Sequence, residues 1–236
     1  MRSASRIACA VVVCHAISAV AWAESLADAL AGVAANARFD APARADVRIE
    51  CTAPCTVSGT PAVLLGRGDA VYVELKGGMR ALVRPNRIDV ARDGKVAAAA
   101  AGEALADTDV LLEDLSVFTP AALKLPQISD DGPAGLVVTA APSPPSVYAL
   151  LVHTIDRDRH AIVRTLYYRD AINNLEKTRR DSALVRVGKS WRPGEIAVES
   201  VRRGSHTHLA LAWKDAPDAP PALFEPAGLE KPSGLF

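Results

Sequence analysis

Between Val147 and Trp213 the chain repeatedly alternates a run of strand-forming residues with a short polar turn. Val147–Ile155 precedes Asp156-Arg-Asp-Arg159, and Ala161–Arg169 precedes Asp170-Ala-Ile-Asn-Asn174. Leu175–Val187, with a break at Asp181-Ser182, is followed by Trp191–Val201 and His206–Trp213. Strong β-formers bounded at this spacing by Asp, Asn, Gly and Ser predict an antiparallel meander. In the first run Tyr148, Leu150 and Val152 fall on one face, with Ala149, Leu151 and Ile155 on the other. A sheet with one wet face would alternate apolar and polar residues. The centre of this meander therefore needs cover on both faces, helices on one and a ligand on the other.

The first half of the chain supplies more strands. Arg44–Glu50 places Ala45, Val47 and Ile49 opposite Arg44, Asp46, Arg48 and Glu50, the pattern of a half-buried strand. Ala62–Arg67, Ala70–Lys76 and Met79–Arg84 are joined by Gly68-Asp69 and Gly77-Gly78, which are hairpin links. Ser25–Ala35 carries Leu26, Leu30, Val33 and Ala34 at helical spacing behind a Ser25 N-cap. In mid-chain, alanine-rich Ala97–Ala106 reads as helix or linker, and Asp109–Leu115 as a helix stopped by Phe118-Thr-Pro120. Ser129–Pro133 reads as a turn and Leu136–Ala140 as a short strand. Pro220–Phe224, Leu229 and Leu235 are expected to dock on the sheet. Helices segregated from a long antiparallel sheet indicate α+β. Accumulated twist curls such a sheet. The predicted fold is a curved antiparallel sheet forming an incomplete (half) β-barrel, with helices covering the concave face.

Residues 1–23 read as a secretory signal peptide. Arg2 and Arg6 precede the apolar run Ile7–Val20, and Ala21-Trp-Ala23 is a small-x-small site. Residues 24–236 then form one exported domain. Neither Cys9 nor Cys14 follows a lipobox, so no lipid anchor is expected. Cys51 and Cys55 are left, separated by three residues in an oxidising compartment, where a disulfide is the simplest reading. A redox pair more often has two intervening residues, and a metal site would lack its other half.

Little in the chain points to catalysis. Lysine plus arginine and aspartate plus glutamate number 27 each, so no basic footprint for nucleic acid is visible. There is no Gly-x-Ser-x-Gly elbow, His-Glu-x-x-His or phosphate-binding glycine loop. His206 and His208 share a strand face, but a metal site needs three or four convergent ligands. No catalytic residue, metal or cofactor is expected.

Leu112-Glu-Asp-Leu115 with Phe118, Val147-Tyr148, Thr165-Leu-Tyr-Tyr-Arg-Asp170, Lys177, Trp191-Arg-Pro193 and Thr207-His-Leu209 form an ordered set. In that order and spacing the chain resembles the LolA/LolB-like group, in the branch of outer-membrane lipoprotein-sorting proteins. The resemblance implies an unclosed half-barrel with a helical lid over an apolar cavity that accepts acyl chains. It also implies that an Arg-Pro step on an early strand bonds the lid, the part that Arg84-Pro85-Asn86 would play. Leu150, Leu166, Tyr168, Leu209 and Leu211 are the candidate cavity-lining residues. The expected partners are lipid or lipoprotein acyl chains, an inner-membrane lipid exporter and an outer-membrane acceptor, in the periplasm. The alternative is a non-catalytic structural or regulatory envelope module that grips a protein partner.

Overall fold

The structure, a computed structural model, describes residues 25–236 apart from Ala53, Asp93 and Ala171. The signal peptide read over residues 1–23 lies outside the described residues. Ser25 caps the first element, accepting a hydrogen bond from the Asp28 N–H at 3.1 Å. The helix it opens, α1 (Leu26–Ala37), turns Ala29, Leu30 and Val33 inward.

Strands make up most of the chain beyond α1. β1 (Phe39–Cys51), β2 (Pro61–Gly68), β3 (Ala70–Leu75), β4 (Arg80–Arg84), β5 (Arg87–Arg92) and β6 (Lys95–Ala98) succeed one another as hairpins. After a long connection come β7 (Leu123–Gly132), β8 (Gly135–Pro142), β9 (Leu150–Asp156), β10 (Ala161–Tyr168) and β11 (Leu175–Ser182). A small hairpin, β12 (Val185–Val187) with β13 (Ser190–Arg192), precedes β14 (Glu195–Ser200) and β15 (Ser205–Asp215).

Apart from the small hairpin, these strands form one 13-stranded antiparallel sheet, ordered β6-β5-β4-β3-β2-β1-β15-β14-β11-β10-β9-β8-β7. Its centre is the pairing of the first strand with the last, where Val47 faces Leu211 and Ile49 faces Leu209. The edges are β6 and β7, which do not pair, so the sheet is an open half-barrel. Residues 99–122 must run from one edge to the other. They cross the concave face, and that topology makes them a cover.

Each face is sealed by a different part of the chain. Over β8 and β9, α1 packs Ala29, Leu30 and Val33 against Leu136, Val138, Ala140 and Ile155. Over β1–β5, β14 and β15, the crossing segment packs Leu105, Val110, Leu112 and Val117 against Val47, Val73, Val83 and Leu209. On the convex side, Leu223, Phe224 and Leu229 of the C-terminal tail cover Val63, Leu65, Tyr72 and Leu82. Cys51 and Cys55 are disulfide-bonded, with Cα atoms 6.0 Å apart.

Several sequence expectations are corrected. Phe39–Pro42, read as a connection, belongs to β1, and Ser129–Pro133, read as a turn, lies mostly in β7. The alanine run does not form a helix. Ala97 and Ala98 pair with Val90 and Asp89, so edge pairing overrides alanine's helix propensity. The helix predicted over Asp109–Leu115 shrinks to a 3-10 turn, Leu112–Leu115. The Asp114 carboxylate accepts from the Leu111 N–H at 2.7 Å, and the Asp109 carboxylate bonds to β15. Such side-chain bonds compete with helical pairing. One α-helix and this irregular segment, not several helices, cover the concave face.

Candidate functional site

Between the concave face, α1 and the crossing segment lies a hollow of about 370 Å³. Its volume falls at the small end of the roughly 300–1,000 Å³ of ligand pockets. One wall is apolar, built from Leu64, Val71, Ile88, Ile196, Leu211 and Trp213. The facing wall is polar, formed where β9, β10 and β11 meet the 3-10 turn. There Tyr148, His153, Thr165, Tyr167, Arg179 and Asp114 line the space.

The predicted lining residues divide. Leu211 lines the hollow, and Leu209 is buried beside it against Ile196. Leu150, Leu166 and Tyr168 do not line it. They are half-buried on the convex face, where Leu150 pairs across to Tyr168 and Val152 to Leu166. The residues facing inward are their neighbours, in the cross-strand pairs Leu151–Tyr167 and His153–Thr165. Both faces of these strands are rich in apolar residues, so alternation alone could not say which is concave.

Arg84 also reaches the lining, but its ion pair is with Asp89 in the β4–β5 hairpin. Among the described residues, no hydrogen bond joins Arg84 to the cover. The cover is held from the opposite half of the sheet instead. Lys177 forms an ion pair with Asp114 and donates to the Asp109 carbonyl at 3.2 Å. Arg179 donates to the Asp114 carbonyl and clamps Asp181 through two bonds of 2.7 Å. Asp109 accepts from Arg203, from the Ser205 hydroxyl at 2.7 Å and from the Thr207 hydroxyl at 3.1 Å. Of these, Lys177, Asp114 and Thr207 belong to the motif set, whereas Asp109, Arg179 and Arg203 carried no recognisable signal in the sequence.

The Lys177–Asp114 pair is nearly inaccessible, with side chains 4% and 1% exposed. The Lys177 ammonium also lies 4.8 Å from the Tyr167 ring centroid and 5.3 Å from that of Tyr148, a cation–π arrangement. Burial and nearby negative charge, Asp114 foremost, push both phenols far above the ordinary tyrosine range, so both stay protonated. Burial, then the charge of Arg179, brings His153 down to about 4, and its imidazole is neutral near pH 7. His153 shares a 3.0 Å hydrogen bond with the Thr165 hydroxyl through Nδ1. Burial raises Glu113 above the usual carboxylate range.

A second, wider depression of about 740 Å³ lies at the β1–β2 end and is bordered by Arg38, Asp40, Arg67 and Asp218. Its border also takes in Phe39, Ala41, Pro42, Pro217, Ala219 and Pro221, but none of the branched aliphatic residues that wall the hollow. Among the described residues, no group of three or more His, Cys, Asp or Glu is placed to hold a metal ion. His206 stands opposite Glu199, and His208 is opposite Glu50 and Ala197. No helix of the described residues is long and apolar enough to cross a membrane.

Neither a family model nor a curated protein sequence matches the chain. Solved structures do. An outer membrane lipoprotein-sorting protein domain from Vibrio parahaemolyticus superposes with a TM-score of 0.64 at 13% identity, over 86% of this chain and 97% of that one. A DUF1329 family protein from Desulfovibrio piger gives 0.69 at 15% identity, over 84% and 98%. A LolA superfamily protein from Nitrosomonas europaea gives 0.66 at 16% identity, over 84% and 96%. At such identities the likeness establishes shape alone. With its open antiparallel sheet, the helix α1 and the crossing cover, the chain has the LolA-like fold.

Proposed function

We propose that this protein is a non-catalytic periplasmic carrier that takes up an acyl chain in the hollow under its cover. The observation that carries the reading is the two-sided enclosure: an apolar wall of sheet residues facing a cover attached to the sheet largely by side chains. An acyl chain entering such a space gains about 0.8 kcal/mol per methylene removed from water. No precise polar chemistry is needed for that part of the binding. The small volume suits one chain, and a larger lipid anchor would need the cover to lift. The secretory leader and the likeness to a lipoprotein-sorting domain support a place in envelope lipid or lipoprotein transport. An inner-membrane exporter would then be the donor and an outer-membrane component the acceptor.

Native mass spectrometry of the protein purified from its own periplasm, without detergent, tests this. The expected result is a mass adduct that fragments to acyl-bearing species. A clean apo mass together with a stable complex with another protein would replace the carrier by the structural or regulatory module.

A further inference from the structure

The polar wall of the hollow is more selective than an acyl cavity requires. Its cations are both committed to carboxylates and carbonyls: Lys177 to Asp114 and the Asp109 carbonyl, beneath two aromatic faces, and Arg179 to Asp181 and the Asp114 carbonyl. What is left over is hydrogen-bonding capacity without positive charge. Asp114 Oδ1, Glu113 Oε1, Tyr148 Oη and His153 Nε2 are closed off from solvent and have no partner among the described residues. All four residues line the hollow. Tyr148 and His153 are each only 7% exposed. Two of the four atoms are carboxylate oxygens, which accept; the phenol and the imidazole nitrogen can each accept or donate. A buried polar atom left unmatched typically costs about 1–3 kcal/mol. A group delivering hydrogen-bond donors here would offset several such penalties at once.

We propose that this wall is a head-group subsite, selecting acyl ligands whose polar end carries O–H or N–H donors and no negative charge. The inference rests on the carrier reading and adds the ligand's polar chemistry to it. A fatty-acid carboxylate or phospholipid phosphate placed here would meet Asp114 and Glu113, with both cations of this wall already engaged. Other cations of the lining do not alter this, and one of them, Arg87, is paired with Asp89. Arg84 is paired with Asp89. Arg192 donates to the carbonyls of Asn36 and Arg38 and lies 4.0 Å from the Phe39 ring centroid. Arg84 and Arg192 each keep an Nε–H without a partner among the described residues, and an anion attracted there would not depend on Tyr148.

The test is a titration of the delipidated mature protein with three ligands of one chain length: monopalmitoylglycerol, hexadecylamine and palmitate. Displacement of a fluorescent acyl probe gives the affinities at pH 7.5. Monopalmitoylglycerol, hexadecylamine or both should bind at least about tenfold more tightly than palmitate, the worth of roughly one well-made hydrogen bond. Which of them leads tells a hydroxyl head from an ammonium head. Tyr148→Phe keeps the ring over Lys177 and removes only the hydroxyl. It should cut the preference over palmitate severalfold and leave palmitate affinity unchanged. Equal affinities for all three, or a tighter palmitate, overturn the subsite while leaving the carrier intact. Equal weakening of all ligands by Tyr148→Phe reduces Tyr148 to a packing role and overturns it too. Failure of every acyl ligand to bind removes both the carrier and the subsite.

Discussion

His153 shows what a single buried side chain does to the energetics of this fold. Its folded pKa of about 4 lies below the ordinary value of 6.5. Between those limits the unfolded chain binds a proton that the folded chain does not, so stability must fall as pH falls. The contribution is complete above pH 6.5 and lost as pH drops toward 4, in total on the order of 3 kcal/mol. His153→Gln retains a hydrogen-bonding group for Thr165 and removes the titration. Urea unfolding of both proteins at pH 7, 5.5 and 4.5 should show the wild type losing about 2.5 kcal/mol more than the variant between the first and last pH. A wild-type-minus-variant difference that stays constant with pH would mean His153 is solvated in the native state. From sequence alone, His153 falls at a solvated hairpin end, and Leu150, Leu166 and Tyr168 take its place inside. Alternation correctly groups residues by face, but it cannot choose between two apolar faces. That choice depends on where α1 and the cover lie.

Among the elements, the C-terminal tail has the largest effect on how its neighbours read. In β3, alternation sets Val71, Val73 and Leu75 on one face against Tyr72 and Glu74 on the other, yet both faces are buried, with Tyr72 0% exposed and Glu74 3%. The tail explains the burial of Tyr72 and Glu74. Leu229 and Phe224 pack over Tyr72, whose hydroxyl donates to Glu74 at 2.8 Å; Glu74 also accepts from the Ser233 hydroxyl, and Arg80 donates to the Leu229 carbonyl at 2.8 Å. A polar-looking strand face thus becomes interior through residues some 150 positions away. The tail's apolar residues announced docking, but not which strands they would cover. Leu229→Ala should cost about 2–5 kcal/mol, the range for emptying a fully buried leucine site. Leu125→Ala, at a leucine 85% exposed on edge strand β7, should change stability by no more than about 0.5 kcal/mol. Thermal unfolding of the pair checks this, and equal effects would show that the tail is not packed on β2–β5. The hairpins β2–β3 and β3–β4 were legible because Gly68-Asp69 and Gly77-Gly78 mark their turns, although the second connection is longer than two residues, from Leu75 to Arg80. Strands β5, β6 and β7 were not: Arg87–Arg92 and Lys95–Ala98 are short and carry little alternation, and Leu123–Gly132 is interrupted by Pro126 and ends in Ser129-Asp-Asp-Gly132, which reads as a turn.

At the scale of the whole molecule, an open sheet with its edges far apart forces the chain to cross the cavity it creates. The crossing segment's own pairing is local: Leu105 N–H to the Val110 carbonyl, Leu112 N–H to the Glu103 carbonyl, and the bridge Ala104–Leu111. Its polar ties to β11 and β15 run instead through Asp109 and Asp114, and none is part of the strand ladder. A unit held in this way can open without unpairing the sheet, as sub-global opening requires. Lys177 is the tie whose loss matters most, because it leaves Asp114 as a buried charge without its ion-pair partner, at a cost of about 3–5 kcal/mol. Hydrogen exchange on Lys177→Met should therefore accelerate across residues 103–118 while amides of β1, β2 and β15 keep their protection. Lys177→Met combined with Asp114→Leu removes the stranded charge and should recover much of that protection. If the single variant instead loosens cover and sheet together, the two form one cooperative unit. Ligand entry would then have to proceed through the mouth of the hollow, with no lifting of the cover.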